Sequence, residues 1–326
     1  MGRKRYENMD GVITAKTLSQ YFQMKKENRK KNNNLPYIMD QSPIKQIEFL
    51  HRNKTAPSIT WIGHCTFLIQ VNGINILTDP IWTKDLKIYR RLTEPGIRLE
   101  DLPPIDIVLI SHGHYDHLDF STLRKLPSTI QYLVPIGLKK LFHRKGFTQV
   151  EELEWWENTT IQNISFHFVP AQHWTRRTLF DLNRSHWGGW VILDESSKES
   201  IYFSGDSGYF RGFKEIGERF SIHYALLPIG AYEPEWFMRA VHMSPEESVQ
   251  AYIDCKAKHF IPMHYGSYPL TTETPYEALE RLRNNWKTRE LDPELLHVLL
   301  LGGTLHLAHL QFMFNKKITE NNALTV

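Results

Sequence analysis

The stretch that decides the fold is IDIVLISHGHYDHLD, residues 105–119. It opens with an apolar run typical of a buried strand, and three histidines and an aspartate follow within six residues. Side chains two residues apart in an extended backbone point the same way, so His112, His114 and Asp116 can converge on one side. A turn can then bring His117 to the same point. Because neutral imidazole and carboxylate are common zinc ligands, the stretch predicts a metal site at a strand end.

The whole chain has the composition of a globular protein, with 326 residues of which 41% are hydrophobic and 12% aromatic. No apolar run approaches the roughly 18–20 residues that span a bilayer, and the start, MGRKR, is not an apolar signal core. These features predict a cytoplasmic protein, and peripheral contact with the inner face of a membrane stays open. Cys65 and Cys255 are far apart, so we expect two buried thiols rather than a disulfide or a cysteine metal site.

Positive charge is concentrated at the start of the chain. Residues 1–54 hold twelve Lys or Arg against five Asp or Glu, whereas the remainder holds 27 against 31. The excess centres on the polar run KKENRKKNNN at residues 25–34, which predicts a mobile arm or linker. Because no aromatic residues alternate with these charges, we expect a solvated arm and no nucleic-acid partner.

The remaining sequence predicts strands interrupted by single helices. Strands are expected at 58–62, 66–71, 74–78, 105–110, 132–134, 161–169, 189–194, 200–204, 223–228, 296–301 and 304–310, and helices at 137–145, 245–256 and 275–288. Asn72-Gly73 predicts a hairpin turn, Asp119 the cap of a short helix, and Ser244-Pro245-Glu246-Glu247 a capping box. The pattern favours two packed sheets covered by helices. We therefore predict a basic N-terminal extension at 1–55 and a single catalytic domain at 56–326.

Three more candidate ligands follow predicted strands. His173 lies in VPAQHW, Asp206 in the glycine-flanked turn FSGDSG, and His264 in IPMHYG. Each signal is weak alone, since a turn or hydrogen-bonding role is about as common as ligation at such positions.

Taken together, these motifs resemble the metallo-β-lactamase superfamily over about residues 57–310. The family order is an Asp after an early strand, H-x-H-x-D-H, a single His, a single Asp and a final His. This chain matches it with Asp79, the segment 112–117, His173, Asp206 and His264. The resemblance implies an α+β fold, a four-layer αββα sandwich of two mixed sheets flanked by helices, with a two-metal site at one edge.

Within that superfamily the chain is similar to the branch of N-acylphosphatidylethanolamine-hydrolysing phospholipase D and its bacterial relatives. The phrases that carry this likeness are WIGHCT at 61–66, LPPID at 102–106, PAQHW at 170–174, WGGW at 187–190 and LPIGAYEP at 227–234. The basic segment before residue 55 has no such match.

The resemblance also implies roles for individual residues. It gives one metal to His112, His114 and His173, the other to Asp116, His117 and His264, and places Asp206 as the bridge. It makes Asp116 and His242 the candidate catalytic residues, with His242 holding a substrate oxygen or the developing negative charge, and places Asp79 in a hydrogen bond to the loop or to a ligand imidazole. The implied cofactors are two divalent cations, with zinc favoured and iron or manganese also accepted by these ligands.

The expected reaction is hydrolysis of a phosphodiester by metal-bound hydroxide, on a small-molecule or phospholipid substrate. The alternative is a lactonase or another carboxylic-ester hydrolase with the same dinuclear site. A noncatalytic binder of the same fold is disfavoured by the complete ligand motifs. Homodimer formation stays open.

Overall fold

Two β-sheets packed face to face form the centre of the computed structural model, which describes residues 4–14, 16–30, 38–87 and 89–307. The strands of the described residues are β1 Ser58–Gly63, β2 Thr66–Val71, β3 Ile74–Thr78, β4 Asp85–Leu86, β5 Tyr89–Arg90, β6 Ile107–Leu109, β7 Gln131–Pro135, β8 Val150–Leu153, β9 Asn158–Ile161, β10 Ile164–Val169, β11 Gly189–Asp194, β12 Ser200–Phe203, β13 Tyr224–Pro228, β14 His259–Met263 and β15 Thr304–His306. The helices are α1 Leu18–Lys30, α2 Ile47–Arg52, α3 Phe120–Leu123, α4 Lys139–Arg144, α5 Gly212–Arg219, α6 Glu235–Met238, α7 Pro245–Asp254 and α8 Pro275–Thr288.

Both sheets are mixed, and each changes from antiparallel to parallel pairing along its width. The first has the order β15-β1-β2-β3-β6-β7-β8, and its pairs become parallel from β3 onward. The second has the order β14-β13-β12-β11-β10-β9, with parallel pairs among β12, β13 and β14. Strands β4 and β5 form a separate hairpin.

The buried residues show how the two sheets and the helices are layered. Every residue of β1 and β2 is buried, as expected for strands covered on both faces. The larger core lies between the sheets and extends to Phe213, Val249 and Leu282 of α5, α7 and α8. A second core joins the first sheet to Leu50 of α2 and Phe142 of α4. Helices therefore cover both outer faces, and the predicted αββα sandwich is confirmed.

Trp190 ties the two sheets together beside the ligand motif. This β11 side chain is fully buried, and its Nε1 donates to the carbonyl oxygen of Ile110 at 3.0 Å. Ile110 comes directly after β6, so a residue of the second sheet holds the point where the first sheet ends.

Most predicted elements are present, with shifted ends. Asp119 caps α3 by accepting from the amides of Ser121 and Thr122, and the capping box of α7 is complete. Of the predicted strand at 161–169, residues 164–169 form β10 and Ile161 ends β9, because Gln162 and Asn163 both have positive φ and form a turn between the two strands. The predicted strand at 296–301 is wrong, since that segment has only isolated bridges to neighbouring chain. Of the strand at 304–310, residues 308–310 lie outside the described part.

The prediction of a mobile arm at residues 25–34 is wrong for its first part, because α1 extends to Lys30; residues 31–34 lie outside the described residues. Helix α1 begins with a reciprocal cap in which Thr17 and Gln20 each accept from the other's backbone amide. Lys, Glu and Arg are good helix formers, so a charged run with such a cap forms a helix. Among the described residues, none of the helices is long and apolar enough to cross a membrane.

Candidate metal centre

Strand direction explains why distant motifs meet. Strands β12, β13 and β14 are parallel, and β10 has the same direction because two antiparallel pairings separate it from β12. Their carboxyl ends therefore lie at one edge of the second sheet. His173, Asp206 and His264 follow β10, β12 and β14, and His112 follows β6 of the first sheet.

Three imidazoles form a tight group, called here the three-imidazole set (His112, His114 and His173). Nδ1 of His114 lies 2.9 Å from Nε2 of His112 and 3.1 Å from Nε2 of His173. Nitrogens bound about 2.1 Å from one zinc ion, at angles of about 90–110°, lie roughly 3.0–3.4 Å apart. The spacing therefore fits three ligands of one cation.

The mixed set (Asp116, His117 and His264) lies beside it. Oδ2 of Asp116 is 3.4 Å from Nε2 of His117 and 3.7 Å from Nε2 of His264. Asp206 connects the sets: its Oδ1 is 3.1 Å from Nε2 of His264, and its Oδ2 is 3.1 Å from Nε2 of His117. The same Oδ2 lies 3.9 Å from His112 and 3.8 Å from His173. One carboxylate thus reaches both sets.

The orientation of these atoms supports a cation rather than hydrogen bonds. Nε2 of His117, Nε2 of His264 and Oδ1 of Asp206 are buried and have no hydrogen-bond partner among the described residues, despite separations of 3.1 Å. Atoms that ligate a common ion point at the ion and not at each other. Buried polar atoms without partners are costly, so the donor set fits divalent cations such as zinc.

The three-imidazole set and the mixed set also differ in the pKa values of their histidines. Burial lowers the pKa of His114 to about 4 and that of His173 to about 3, so these imidazoles are neutral and their lone pairs are free to bind a cation. Burial also opposes the charged form of His264, but the carboxylates of Asp206 and Asp116 outweigh it and raise its pKa to about 9. The carboxylates therefore favour positive charge at the mixed set. A cation bound there would compete with protons for His264, so its binding would release protons.

Outer hydrogen bonds orient the imidazoles. Nδ1 of His117 lies 2.7 Å from Oδ2 of Asp79, which confirms the prediction that Asp79 hydrogen-bonds one of these rings. The Oγ of Ser111 is 2.9 Å from Nδ1 of His112, and the carbonyl of Val241 is 2.9 Å from Nδ1 of His173. Such partners fix the tautomer and orientation of ligand imidazoles.

Two further histidines border the site. Nε2 of His64 lies 3.1 Å from Oδ2 of Asp116. His242 is buried, its Nδ1 has no hydrogen-bond partner among the described residues, and that atom is 4.0 Å from Oδ2 of Asp206. The structure thus brings together every site residue predicted from the sequence; their roles as ligands and catalytic groups stay predictions.

Three residues of the site have a left-handed backbone conformation. His64, Asp79 and His264 have φ values of 55°, 35° and 62°, although the left-handed region costs a non-glycine residue about 1–3 kcal/mol. Gly205 has φ 61°, and a Cβ there would lie 2.6 Å from Cβ of Ser111. Asp206 can therefore follow this turn only because residue 205 has no side chain.

Sequence reasoning missed Arg177. Its Nη1 donates to the carbonyl oxygens of Gly113 and Leu118 at 2.8 and 2.9 Å, on both sides of the ligand turn. Burial of the guanidinium lowers the pKa of Arg177. Its two hydrogen bonds hold the loop that carries the candidate ligands. No local signal identifies this residue, because its partners are about sixty positions away.

Comparison with known proteins agrees with this geometry. The Beta-lactamase superfamily domain matches residues 74–265. The N-acyl-phosphatidylethanolamine-hydrolyzing phospholipase D 1 of Caenorhabditis elegans is 36% identical over 251 residues, covering 71% of this chain and 70% of the nematode protein. The mitochondrial N-acyl-phosphatidylethanolamine-hydrolyzing phospholipase D of Saccharomyces cerevisiae is 34% identical, covering 72% of this chain and 54% of the yeast protein.

Solved structures share the fold. A metallo hydrolase from the archaeon Ignicoccus hospitalis superposes with a TM-score of 0.59 at 23% identity, covering 77% of this chain and 98% of the archaeal chain. The family match and the relatives more than 30% identical together establish the family of this chain. The chain belongs to the metallo-β-lactamase superfamily, as a metal-dependent hydrolase that resembles the N-acylphosphatidylethanolamine-hydrolysing phospholipase D branch.

Proposed function

We propose that this chain is a phosphodiesterase with two divalent cations, zinc in the first place, that cleaves a phospholipid of the N-acylphosphatidylethanolamine class in the manner of a phospholipase D. One observation carries the proposal of a dinuclear site: Asp206 presents Oδ1 to His264 and Oδ2 to His117 at 3.1 Å each, and the same Oδ2 faces the three-imidazole set. A carboxylate has two oxygens to divide between two cations, so this position suits a bridge.

The choice of scissile bond is supported by the relatives. Proteins 34–36% identical to this chain are named as phospholipases that hydrolyse N-acyl-phosphatidylethanolamine. In a phospholipase D-type reaction the oxygen of water bonds to phosphorus and the bond from phosphorus to the headgroup oxygen breaks, which gives a phosphatidic acid and the headgroup alcohol. Metal-site geometry alone does not select this bond, because the same ligands also serve ester hydrolysis.

The chain's own residues have separate tasks in this reaction. Two divalent cations at the site would lower the pKa of a water molecule there and stabilise charge on the phosphoryl oxygens. Asp116 is the most open of the carboxylates, at 15% side-chain exposure against 2% for Asp206. We therefore expect the substrate to reach the site past Asp116, whereas Asp206 lies buried between the three-imidazole set and the mixed set.

The proposal gives His242 the task of holding a substrate oxygen. Burial lowers its pKa to about 3, so the ring is neutral near pH 7 and one nitrogen can donate a hydrogen bond. Its centroid lies 5.2 Å from those of both His173 and His264. A donor fixed between the two sets can stabilise negative charge that develops on an oxygen bound there.

The test is a substrate panel with the metal-loaded protein: N-acylphosphatidylethanolamine in mixed micelles, a bis-aryl phosphodiester and a set of lactones. We expect turnover of the two phosphodiesters, lost in Asp206→Asn and kept in Asp194→Asn, a buried aspartate at the far end of β11. Lactone turnover with inert phosphodiesters would refute the proposed reaction in favour of a lactonase.

Peripheral membrane contact is part of the proposal. Leu179 and Phe180 are 77% and 79% exposed, two and three residues after Arg177, which contacts the ligand turn. Exposed apolar side chains beside a site suit a lipid surface. We expect Leu179→Ser/Phe180→Ser to weaken co-sedimentation with phospholipid vesicles while hydrolysis of the soluble bis-aryl substrate is unchanged. Equal sedimentation of the variant and the parent would exclude this contact.

A further inference from the structure

We propose that residues 4–14, called here the N-terminal clasp, help to order the metal centre, and that Asn8 is a positioning residue for His173. The clasp lies outside the segment 74–265 that matches the family domain. The inference rests on the proposed cation site, and it does not depend on which bond is cleaved.

Asn8 holds both backbone groups of His173. Its Nδ2 donates to the carbonyl oxygen of His173 at 2.9 Å, and its Oδ1 accepts from the amide of His173 at 2.9 Å. The asparagine is 8% exposed and His173 is fully buried. Because one planar amide group satisfies the donor and the acceptor of a single residue, it fixes the orientation of that peptide segment.

The His173 side chain is fixed at its other end. Nδ1 lies 2.9 Å from the carbonyl oxygen of Val241, and this leaves Nε2 facing Nδ1 of His114 at 3.1 Å. Asn8 thus fixes the backbone while Val241 fixes the ring. Ligand groups that are oriented before the cation arrives bind it more tightly than groups that must be ordered.

Contacts on both sides of Asn8 hold the clasp against the domain. Before it, the Tyr6 ring stacks on His186 with centroids 4.5 Å apart, and the Tyr6 amide donates to the carbonyl oxygen of Asn183 at 2.9 Å. After it, Asp10 pairs with Arg211 at 2.7 Å. The position of Asn8 therefore does not depend on one contact.

Trp187 offers a matched control. Its Nε1 donates to Oδ1 of Asn8 at 3.0 Å and to the carbonyl oxygen of Ala171 at 3.1 Å. Trp187→Phe removes a buried hydrogen bond from the same asparagine but leaves both Asn8–His173 bonds. Lys198→Ala is the surface control, because the exposed Lys198 pairs with Glu195 and lies outside the clasp.

The experiment measures cation binding by the full-length chain, with Co²⁺ as the probe, by visible absorption and by competition with a chelator. We expect Asn8→Ala to weaken one of two Co²⁺ sites by roughly 10- to 100-fold and to change its absorption band, with the other site unaltered. Asn8→Asp, which keeps an acceptor but loses the donor to His173, should shift the same site if Asn8→Ala does not fold. Trp187→Phe and Lys198→Ala should keep both sites.

Three results would overturn the inference. If Asn8→Ala and Asn8→Asp melt at lower temperature but keep both Co²⁺ affinities and the absorption band, Asn8 only stabilises the fold. If Trp187→Phe alters the band as strongly as Asn8→Ala, the effect is not specific to the His173 bonds. If the unmodified chain binds no Co²⁺, the proposed cation site itself fails, which is a separate outcome from failure of the clasp.

Discussion

Nδ1 of His117 lies 2.7 Å from Oδ2 of Asp79, and neither side chain is exposed to solvent. Asp79 also accepts from the amide and the hydroxyl of Ser111, at 2.7 and 2.5 Å. A carboxylate held by three donors cannot turn, so it directs Nε2 of His117 toward Asp206. We therefore expect Asp79 to orient a ligand imidazole rather than to bind a cation itself.

Asp79→Asn should lower the affinity of the mixed set for zinc by roughly 10- to 100-fold, because the amide no longer favours the imidazole tautomer that binds metal. Competition with a fluorescent zinc chelator measures this change. Asp106→Asn is the control, since Asp106 accepts from the Asn75 amide away from the site. Unchanged zinc affinity in Asp79→Asn would show that Asp79 has no part in ordering His117.

His173→Ala and His264→Ala should each reduce the retained metal from two cations to one, because the two histidines belong to different sets. Elemental analysis after dialysis against a weak chelator gives the stoichiometry. His167→Ala, a change on β10 away from the centre, should retain both cations. Loss of both cations, or of neither, in the two site variants would contradict separate sets joined by Asp206.

The sequence predicted which side chains come together at the candidate site more accurately than it predicted the ends of the strands and helices, and the reason is geometric. His112, His114 and Asp116 are neighbours in the chain, so their spacing alone indicates convergence after a strand. Asn8 and Arg177 act through partners at long sequence separation, and no local pattern reports such contacts. Helix α1 was missed because a charged run is compatible with both a helix and a solvated arm.

His242→Ala should lower kcat on a phosphodiester about 100-fold, since it removes the donor that we propose for the substrate oxygen. The metal content should stay at two cations, because His242 belongs to neither set. His51→Ala, at an exposed position on α2, is the matched control. A kcat equal to that of the parent enzyme would remove His242 from the reaction.

Trp190→Ala should lower the free energy of unfolding by about 3–5 kcal/mol, because it leaves a cavity between the sheets and removes the bond to Ile110. Urea denaturation followed by circular dichroism measures the loss. Trp236→Ala, at a site 42% exposed, should change stability by about 0.5 kcal/mol or less. Similar losses in the two variants would show that Trp190 does not tie the sheets.

Gly205→Ala separates steric conflict from backbone strain when compared with Gly146→Ala. Both glycines have positive φ, but a Cβ at Gly146 meets nothing within 4 Å, whereas one at Gly205 lies 2.6 Å from Cβ of Ser111. Gly146→Ala should cost about 1–2 kcal/mol of unfolding free energy, and Gly205→Ala should cost more and also weaken cation binding. Equal costs in thermal unfolding, with intact binding, would contradict the role assigned to the Gly205 turn.

The most direct test of the central claim is anomalous diffraction from crystals of the zinc-loaded protein, recorded on both sides of the zinc absorption edge. We expect two zinc peaks roughly 3.5–4 Å apart, one within the three-imidazole set and one within the mixed set, with Asp206 between them. A map with no peak among these seven side chains, or with a single peak at full zinc occupancy, would contradict the central claim.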